Sequence, residues 1–210
     1  MANAELLSQF GLDAMALGNH EFDLDTQKLA RFIQGVNFPV LAANLDSRDD
    51  PDLSRASNLK PFVIYAFDGN QKSPVTDLDH LPADKQLVAV IGLVLEDMAN
   101  ISPNVGKLRF AKEVASAQAT VDLLQARGIN RIVALTHIGN ARDLALAAKV
   151  NGLDAIVGGH SHSLLGDFTN IGWGKTGEYA QLVTNPDGVG LTCVVQAGSY
   201  AQAIGLARVS

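Results

Sequence analysis

Short apolar runs alternate along the chain with segments in which apolar residues recur at helical spacing. Buried strands are predicted at six apolar runs, residues 13–17, 38–43, 61–67, 86–94, 131–136 and 154–157. Amphipathic helices are predicted at residues 25–34, 111–127 and 140–150, the last with Asn140 as its N-cap. Residues 5–11 have the pattern of a helix end with Gly11 in a left-handed cap. This alternation predicts a layered α/β domain.

The C-terminal quarter of the chain has a different pattern. Residues 166–190 are rich in glycine and polar residues, so irregular chain is predicted there. Residues 192–197 and 204–209 are predicted to form a final strand pair. The strands at 61–67 and 86–94 are expected to pair around a loop that is too long for a tight hairpin. The sequence contains no internal repeat or low-complexity tract and is interpreted as one domain.

Composition narrows the class of protein. Of the 210 residues, 47% are hydrophobic and 18% are charged, a balance that excludes a largely disordered chain. The net charge of -6 and the lack of a basic stripe argue against a nucleic-acid partner. No sequence window approaches the roughly 18 apolar residues of a membrane span, and Met1 is not followed by a signal-peptide pattern. The single cysteine, Cys193, excludes an internal disulfide.

Four of the five histidines follow predicted strands. His20 follows the first strand, His137 the fifth, and His160 and His162 the sixth. Ligands of open α/β sheets bind beyond the carboxyl ends of the strands, so these imidazoles are expected to meet at one edge. A single histidine at a strand end is more often structural, and the argument therefore depends on the cluster. His80, in the long loop, is expected to be an exposed bystander.

The residues around these histidines point to a metal. His160 and His162 are two positions apart, and an extended backbone would project both in the same direction. The segment Gly18-Asn19-His20-Glu21 adds an amide, an imidazole and a carboxylate on one turn, although an Asn turn with a capping acid has the same pattern. Imidazole, amide and carboxylate ligands without thiolates suit zinc, manganese, iron or cobalt better than calcium.

Three motifs resemble those of calcineurin-like metallophosphoesterases, namely Gly18-Asn-His-Glu-Phe-Asp23, Leu135-Thr-His-Ile-Gly139 and Gly158-Gly-His-Ser-His162. Two further segments, Phe38-Pro-Val-Leu-Ala-Ala-Asn44 and Val194-Val-Gln-Ala-Gly198, resemble the branch of bacterial 5'-nucleotidases and UDP-sugar hydrolases. The resemblance covers nearly the whole chain, from about residue 5 to 209. It implies an α/β fold with a layered β-sheet sandwich flanked by helices. It also implies a metal-dependent phosphoester hydrolase of the 5'-nucleotidase type that releases phosphate from nucleotides, with a nucleotide or a nucleotide sugar as its substrate.

The resemblance also implies a metal site. Asn19, His137 and His160 would ligate one divalent ion, and His162 would ligate a second. Zinc, manganese, cobalt and iron all remain open as the metal. The two ions would clamp the phosphate and generate hydroxide for in-line attack.

Two further roles follow from the resemblance. His20 would be catalytic, facing the phosphoryl group to stabilise its developing charge or to protonate the leaving oxygen. Asp23 would orient His20, and both Asn19 and His20 would contact the substrate. Glu21 is interpreted as a capping or structural acid.

The sequence departs from the family pattern at both ends. An Asp-x-His motif and a Gly-Asp motif, which supply further ligands including the bridging carboxylate, normally precede the Asn-His-Glu motif and are absent before Gly18. The C-terminal substrate domain of 5'-nucleotidases has no counterpart in this sequence. Residues 1–210 are therefore expected to be a partial catalytic domain without its first strands, holding at most one ion well and weakly active or inactive. The alternative is a non-catalytic metal-binding or structural remnant.

Further expectations concern partners, location and rival functions. Absence of the first strands predicts an exposed sheet edge and self-association through it. Family membership implies a periplasmic or cell-surface location. The segment Gly172-Trp-Gly-Lys-Thr176 ends like a phosphate-binding loop, but Thr169 stands where its first glycine is required. The sequence also lacks the Gly-x-Ser-x-Gly elbow of a serine hydrolase.

Overall fold

The structure, a computed structural model, describes residues 2–208. Within these residues the helices are α1 Ala2–Gln9, α2 Thr26–Gly35, α3 Met98–Ile101, α4 Glu113–Gln125 and α5 Asn140–Ala147. The strands are β1 Met15–Ala16, β2 Val40–Leu41, β3 Leu45–Asp46, β4 Leu59–Lys60, β5 Phe62–Asp68, β6 Gln71–Val75, β7 Gln86–Val94, β8 Arg109–Phe110, β9 Ile132–His137, β10 Ala155–Val157, β11 Gln181–Thr184 and β12 Leu191–Val195. In the described part of the chain, no helix has the length and apolar content needed to cross a bilayer.

A seven-stranded mixed sheet, in the order β11-β12-β10-β9-β7-β5-β6, forms the centre of the molecule. Its inner strands β7, β9, β10 and β12 are parallel, and β5, β6 and β11 join antiparallel at the two sides. In β9 the residues alternate between buried and half-buried, so that Ile132, Ala134 and Thr136 face the core. Because the inner strands are parallel, their carboxyl ends meet at one edge, where His137 and His160 lie.

A smaller parallel sheet, β1-β2-β4, contacts β7 and β9 of the main sheet. The two sheets approach closely at Gly92, whose carbonyl oxygen accepts a hydrogen bond from the N–H of Ala43 at 2.7 Å. A Cβ at Gly92 would collide with the backbone of Leu41, so this contact requires glycine. The predicted layered α/β fold is confirmed, and the sheet contact places the turn after β1 beside the end of β9.

The three predicted amphipathic helices are confirmed as α2, α4 and α5, and α4 and α5 contact strands of the main sheet. The side chain of Asp25 caps α2 by accepting a hydrogen bond from the N–H of Lys28 at 2.8 Å, and α2 buries Leu29, Ala30 and Ile33. Helix α4 buries Ala117, Val121 and Leu124, and it contacts β7. Gly128 follows α4 with a φ of +80°, and Gly11 follows α1 with a φ of +69°.

Several local predictions were wrong. Strand β12 pairs antiparallel with β11, which lies inside the stretch predicted to be irregular. Residues 203–208 have no regular structure, and Ile204 is 97% exposed because no strand of the described chain lies beside it; Val209 is outside the described residues. The loop between β5 and β7 contains β6, although the predicted pairing of β5 with β7 is confirmed. Gly139 with a φ of +91°, not Asn140, is the N-cap of α5.

Strand β1 is an edge strand in the described part of the chain, because it pairs only with β2. The N–H groups of Met15 and Leu17 donate to the carbonyl oxygens of Pro39 and Leu41. Strand geometry therefore directs the N–H of Ala16 toward the opposite, unpaired edge. Self-association through this edge stays a prediction.

Candidate metal centre

Asn19 lies in a tight turn after β1, just before a single 3-10 turn at His20–Phe22. Glu21 holds this turn, because its carboxylate accepts a hydrogen bond from the N–H of Gly18 at 2.6 Å. Phe22 anchors the same turn in the core with 1% of its surface exposed. A Cβ on Gly18 would lie 2.9 Å from the imidazole of His137. Glycine at this position therefore lets the turn approach the end of β9.

Three donor atoms from three strand ends converge at this point. The Oδ1 atom of Asn19 lies 2.9 Å from Nε2 of His137 and 3.1 Å from Nδ1 of His160. The two imidazole centroids are 5.2 Å apart. Ligand atoms held at about 2.0–2.2 Å from an ion lie roughly 2.8–3.1 Å apart at octahedral angles and roughly 3.3–3.6 Å apart at tetrahedral angles, and the two separations observed here match the octahedral range. The amide oxygen and the two imidazole nitrogens therefore fit the inner ligands of one divalent ion.

The electrostatics of His137 favour its metal-binding form. Burial of the ring, followed by the positive potential of His160, His20 and His162, lowers the pKa of His137 to about 4. The imidazole is therefore neutral at neutral pH. Neutral imidazole has a free lone pair, which is the form that ligates metals.

The loop that carries His160 and His162 does not have the predicted extended backbone. His160 has a φ of +74°, and the N–H of Ser161 donates to the carbonyl oxygen of Gly159 at 3.0 Å. This is a γ-turn, and His162 follows it with a φ of +56°. The two side chains consequently diverge: His160 reaches Asn19, whereas His162 is exposed with its ring 6.0 Å from that of Tyr200.

His20 and Asp23 form an exposed pair beside the three donor atoms. Nδ1 of His20 lies 2.8 Å from Oδ2 of Asp23, and the His20 side chain is 76% exposed. The hydrogen bond to Asp23, and then the charge of that carboxylate, raise the pKa of His20. The structure thus pairs the two residues predicted to be catalytic and orienting. His80, by contrast, is exposed and pairs with Asp77, as expected of a bystander.

Of the three converging donor atoms, two belong to imidazoles and the third belongs to an amide, not to a carboxylate. Within residues 2–208, no three side chains of His, Cys, Asp or Glu lie close enough together to hold a metal ion. The third donor is instead the amide of Asn19. An ion bound here would have three protein ligands and would complete its shell with water, as open zinc sites do.

Sequence reasoning missed two buried polar residues near the centre, Asp143 and Gln196. Asp143 is fully buried on α5, where its Oδ1 accepts a hydrogen bond from the hydroxyl of Thr136 at 2.6 Å. Burial, reinforced by the nearby charge of Glu113, raises the pKa of Asp143 to about 7. The spacing of these residues could have indicated the burial of Asp143, because Asp143 shares a helical face with the buried residues Leu146 and Ala147.

The sequence profile of calcineurin-like phosphoesterases matches residues 3–164, more than half of the chain. The chain belongs to the calcineurin-like phosphoesterase family. The fold of this calcineurin-like phosphoesterase is similar to that of a 5'-nucleotidase precursor from Thermus thermophilus, with a TM-score of 0.81 and 35% identity. That likeness covers 96% of this chain and 36% of the other. It confirms the metallophosphatase-type fold.

Sequence relatives confirm the 5'-nucleotidase branch. This calcineurin-like phosphoesterase is 33% identical to the trifunctional nucleotide phosphoesterase protein YfkN of Bacillus subtilis, over 98% of this chain and 14% of the relative. It is also 33% identical to the 5'-nucleotidase of Diplobatis ommata, over 99% of this chain and 33% of the relative. The chain thus spans about a third of the length of these proteins or less. Nearly the whole of this chain is thus related to the 5'-nucleotidases.

Proposed function

We propose that this chain forms the metal-binding part of a 5'-nucleotidase-type phosphoester hydrolase that releases phosphate from nucleotides, with a nucleotide or a nucleotide sugar as its substrate. The convergence of Asn19 Oδ1, His137 Nε2 and His160 Nδ1 carries the proposal. The names of the relatives, nucleotide phosphoesterase and 5'-nucleotidase, support the substrate class.

In this proposal Asn19, His137 and His160 hold one divalent ion of the zinc, manganese, cobalt or iron type. When bound, such an ion supplies Lewis acidity and lowers the pKa of a bound water. His137 contributes a neutral nitrogen because its buried ring resists protonation. His162, exposed at the rim of the site, is proposed as a ligand of a second ion that this chain holds weakly at most.

His20 is the proposed catalytic residue. The hydrogen bond from its Nδ1 to Asp23 fixes the ring and favours the protonated form, which leaves Nε2–H free to donate. An exposed N–H at this position can stabilise charge on a phosphoryl oxygen or give its proton to the leaving oxygen. Asp23 is therefore proposed as a positioning residue, and Asn19 and His20 are proposed to contact substrate.

A second candidate function is a non-catalytic metal-binding or structural remnant of such a domain. It is favoured by the lack of a carboxylate at the convergent donors in the described residues.

We infer that residues 1–210 form part of a catalytic domain, because the chain spans about a third of the length of its 5'-nucleotidase relative. A periplasmic or cell-surface location is proposed because the similar Thermus protein is described as a precursor.

Metal content and turnover, measured on the same protein, distinguish the two functions. We would dialyse the chain against manganese and count ions by mass spectrometry, then measure phosphate release from a nucleoside monophosphate. The His160→Ala variant should lose about one ion per chain, whereas His80→Ala, at an exposed histidine paired with Asp77, should keep it. Hydrolysis that is lost in His20→Ala supports the enzyme. Metal without turnover favours the remnant, and a wild-type chain without metal overturns the proposed site.

A further inference from the structure

The histidine loop, residues 158–163, has a strained backbone conformation. His160 and His162 are two of the four non-glycine residues with positive φ in the described part of the chain, and both are proposed metal ligands. A γ-turn with positive φ is rare and strained for a residue that carries a Cβ. Such a conformation persists only where the surrounding structure holds it in place. The groups that hold this loop therefore determine where the imidazole of His160 lies.

One side chain, Gln196, is bound to both sides of the γ-turn. It follows β12 and is 2% exposed. Its Nε2 donates to the carbonyl oxygen of Gly159 at 3.0 Å, and its Oε1 accepts from the N–H of Ser163 at 2.5 Å. The hydroxyl of Ser161 donates to the same Oε1 at 3.0 Å. A single buried amide thus satisfies three polar groups of the loop.

Ser161 extends this hold to a neighbouring helix. Its hydroxyl oxygen accepts a hydrogen bond from the N–H of Asn140, the first residue of α5, at 3.0 Å. That N–H is one of the helix donors without an intrahelical partner. Ser161 therefore joins the loop, the start of α5 and Gln196.

We propose that Gln196 is a positioning residue for the metal centre, acting through the histidine loop. The proposal rests on the proposed function. Gln196 makes no hydrogen bond to Asn19, His137 or His160 among the described contacts; it sets the turn that directs Nδ1 of His160 to Oδ1 of Asn19. The role requires both a donor and an acceptor, which a primary amide provides and a thioether or carboxylate does not.

Substitutions at Gln196 separate its hydrogen bonds from its volume. Gln196→Met keeps the length of the side chain and removes all three hydrogen bonds, whereas Gln196→Glu keeps the acceptor for Ser161 and Ser163 and loses the donor to Gly159. Gln118→Met is the matched control, because the amide of Gln118 also joins two segments. Its Oε1 accepts from the N–H of Asn151 at 2.9 Å, away from the histidine loop.

Cobalt binding is the main measurement, monitored by titration calorimetry and by the visible absorption of the bound ion. Gln196→Met should weaken cobalt binding by about 10- to 100-fold and change the absorption bands, as loss of an outer-shell partner does. It should also speed amide exchange at Ser161 and Ser163. The cobalt affinity of Gln196→Glu should lie between those of the wild type and Gln196→Met. Gln118→Met should match the wild type in cobalt affinity and in absorption.

The outcomes distinguish this proposal from the proposed function. Wild-type cobalt affinity and absorption in Gln196→Met would overturn the positioning role, even if its melting temperature falls. Should Gln196→Met fail to fold, the same criterion applies to Gln196→Glu. If the wild-type chain binds no cobalt, the proposed function fails. In that case amide exchange at Ser161 and Ser163 in Gln196→Met is the remaining test. Exchange rates equal to those of the wild type would show that Gln196 does not hold the loop.

Discussion

The side-chain oxygen of Asn19 lies 2.9 Å from Nε2 of His137, although 118 positions separate the two residues in the chain. This contact joins the turn after β1 to the end of β9, so the centre exists only while the small sheet packs on the large one. Asn19 itself contributes no charge to the pKa of His137, since an amide is neutral. The low pKa of His137 instead follows from its burial and from the neighbouring imidazoles.

Replacing Asn19 with aspartate should therefore raise the pKa of His137 in the metal-free protein. A carboxylate at hydrogen-bond distance favours the imidazolium form, which opposes the burial that lowers this pKa to about 4. Proton NMR titration of the histidine C2–H signals measures the change directly. Asn19→Ala is the control, because it removes the amide without adding charge. A His137 pKa that stays near 4 in Asn19→Asp would show that the two side chains are not in contact.

Asp23→Asn should lower the pKa of His20. The hydrogen bond and charge of Asp23 are the main causes of its raised value, and an amide keeps at most a neutral hydrogen bond. If imidazolium is the reactive form, the alkaline limb of the pH–rate profile should move to lower pH with it. Asp25→Asn, which changes the neighbouring cap of α2, should leave the profile in place. An unchanged profile together with a lowered His20 pKa would exclude His20 as the acid.

The sequence predicted the components of the centre because strand ends are local features. Asn19, His137 and His160 each follow a short apolar run, and parallel strands bring such positions to one edge. The left-handed turn at His160 was not predictable in this way. Its conformation depends on hydrogen bonds with Gln196, which lies 36 positions further along the chain.

The errors in the fold have the same origin. Strand β11 buries little apolar surface, and its Leu182 side chain is 65% exposed. It is a strand because it pairs with β12. The segment around Ile204 has a more apolar pattern but finds no partner strand among the described residues. Local pattern predicts the buried inner strands well and the edge strands poorly, because an edge strand is specified by its one neighbour.

Ala16→Pro should decrease self-association without unfolding the small sheet. The N–H groups of Met15 and Leu17 bind β2, so the N–H of Ala16 faces the free edge and its loss leaves the β1–β2 ladder intact. Light scattering after size exclusion should show dimers in the wild type and monomers in the variant. Leu17→Pro, which removes an inward N–H, should instead lower the melting temperature. A monomeric wild type that melts cooperatively would contradict the exposed-edge prediction.

Asp143→Asn should stabilise the protein relative to the wild type, and this stabilisation should be larger at alkaline pH than at acidic pH. The folded-state pKa of Asp143 is about 7 and its ordinary value is 3.8, so between these values the folded protein binds more protons than the unfolded chain. The free energy of unfolding therefore falls as pH rises through this range, by at most about 1.4 kcal/mol per pH unit from this group. Above pH 7 the free energy of unfolding no longer changes with pH through this group.

Urea unfolding at pH 5 and pH 8 tests this effect of Asp143. Asparagine has the shape of the neutral acid and can accept the hydrogen bond from Thr136, so the variant should exceed the wild type in stability by less at pH 5 than at pH 8. At pH 8 the wild type must either bury a charge or loosen α5 to hydrate it, and the variant should be the more stable. An equal difference in stability at the two pH values would mean that Asp143 is already ionised in the folded protein at pH 5.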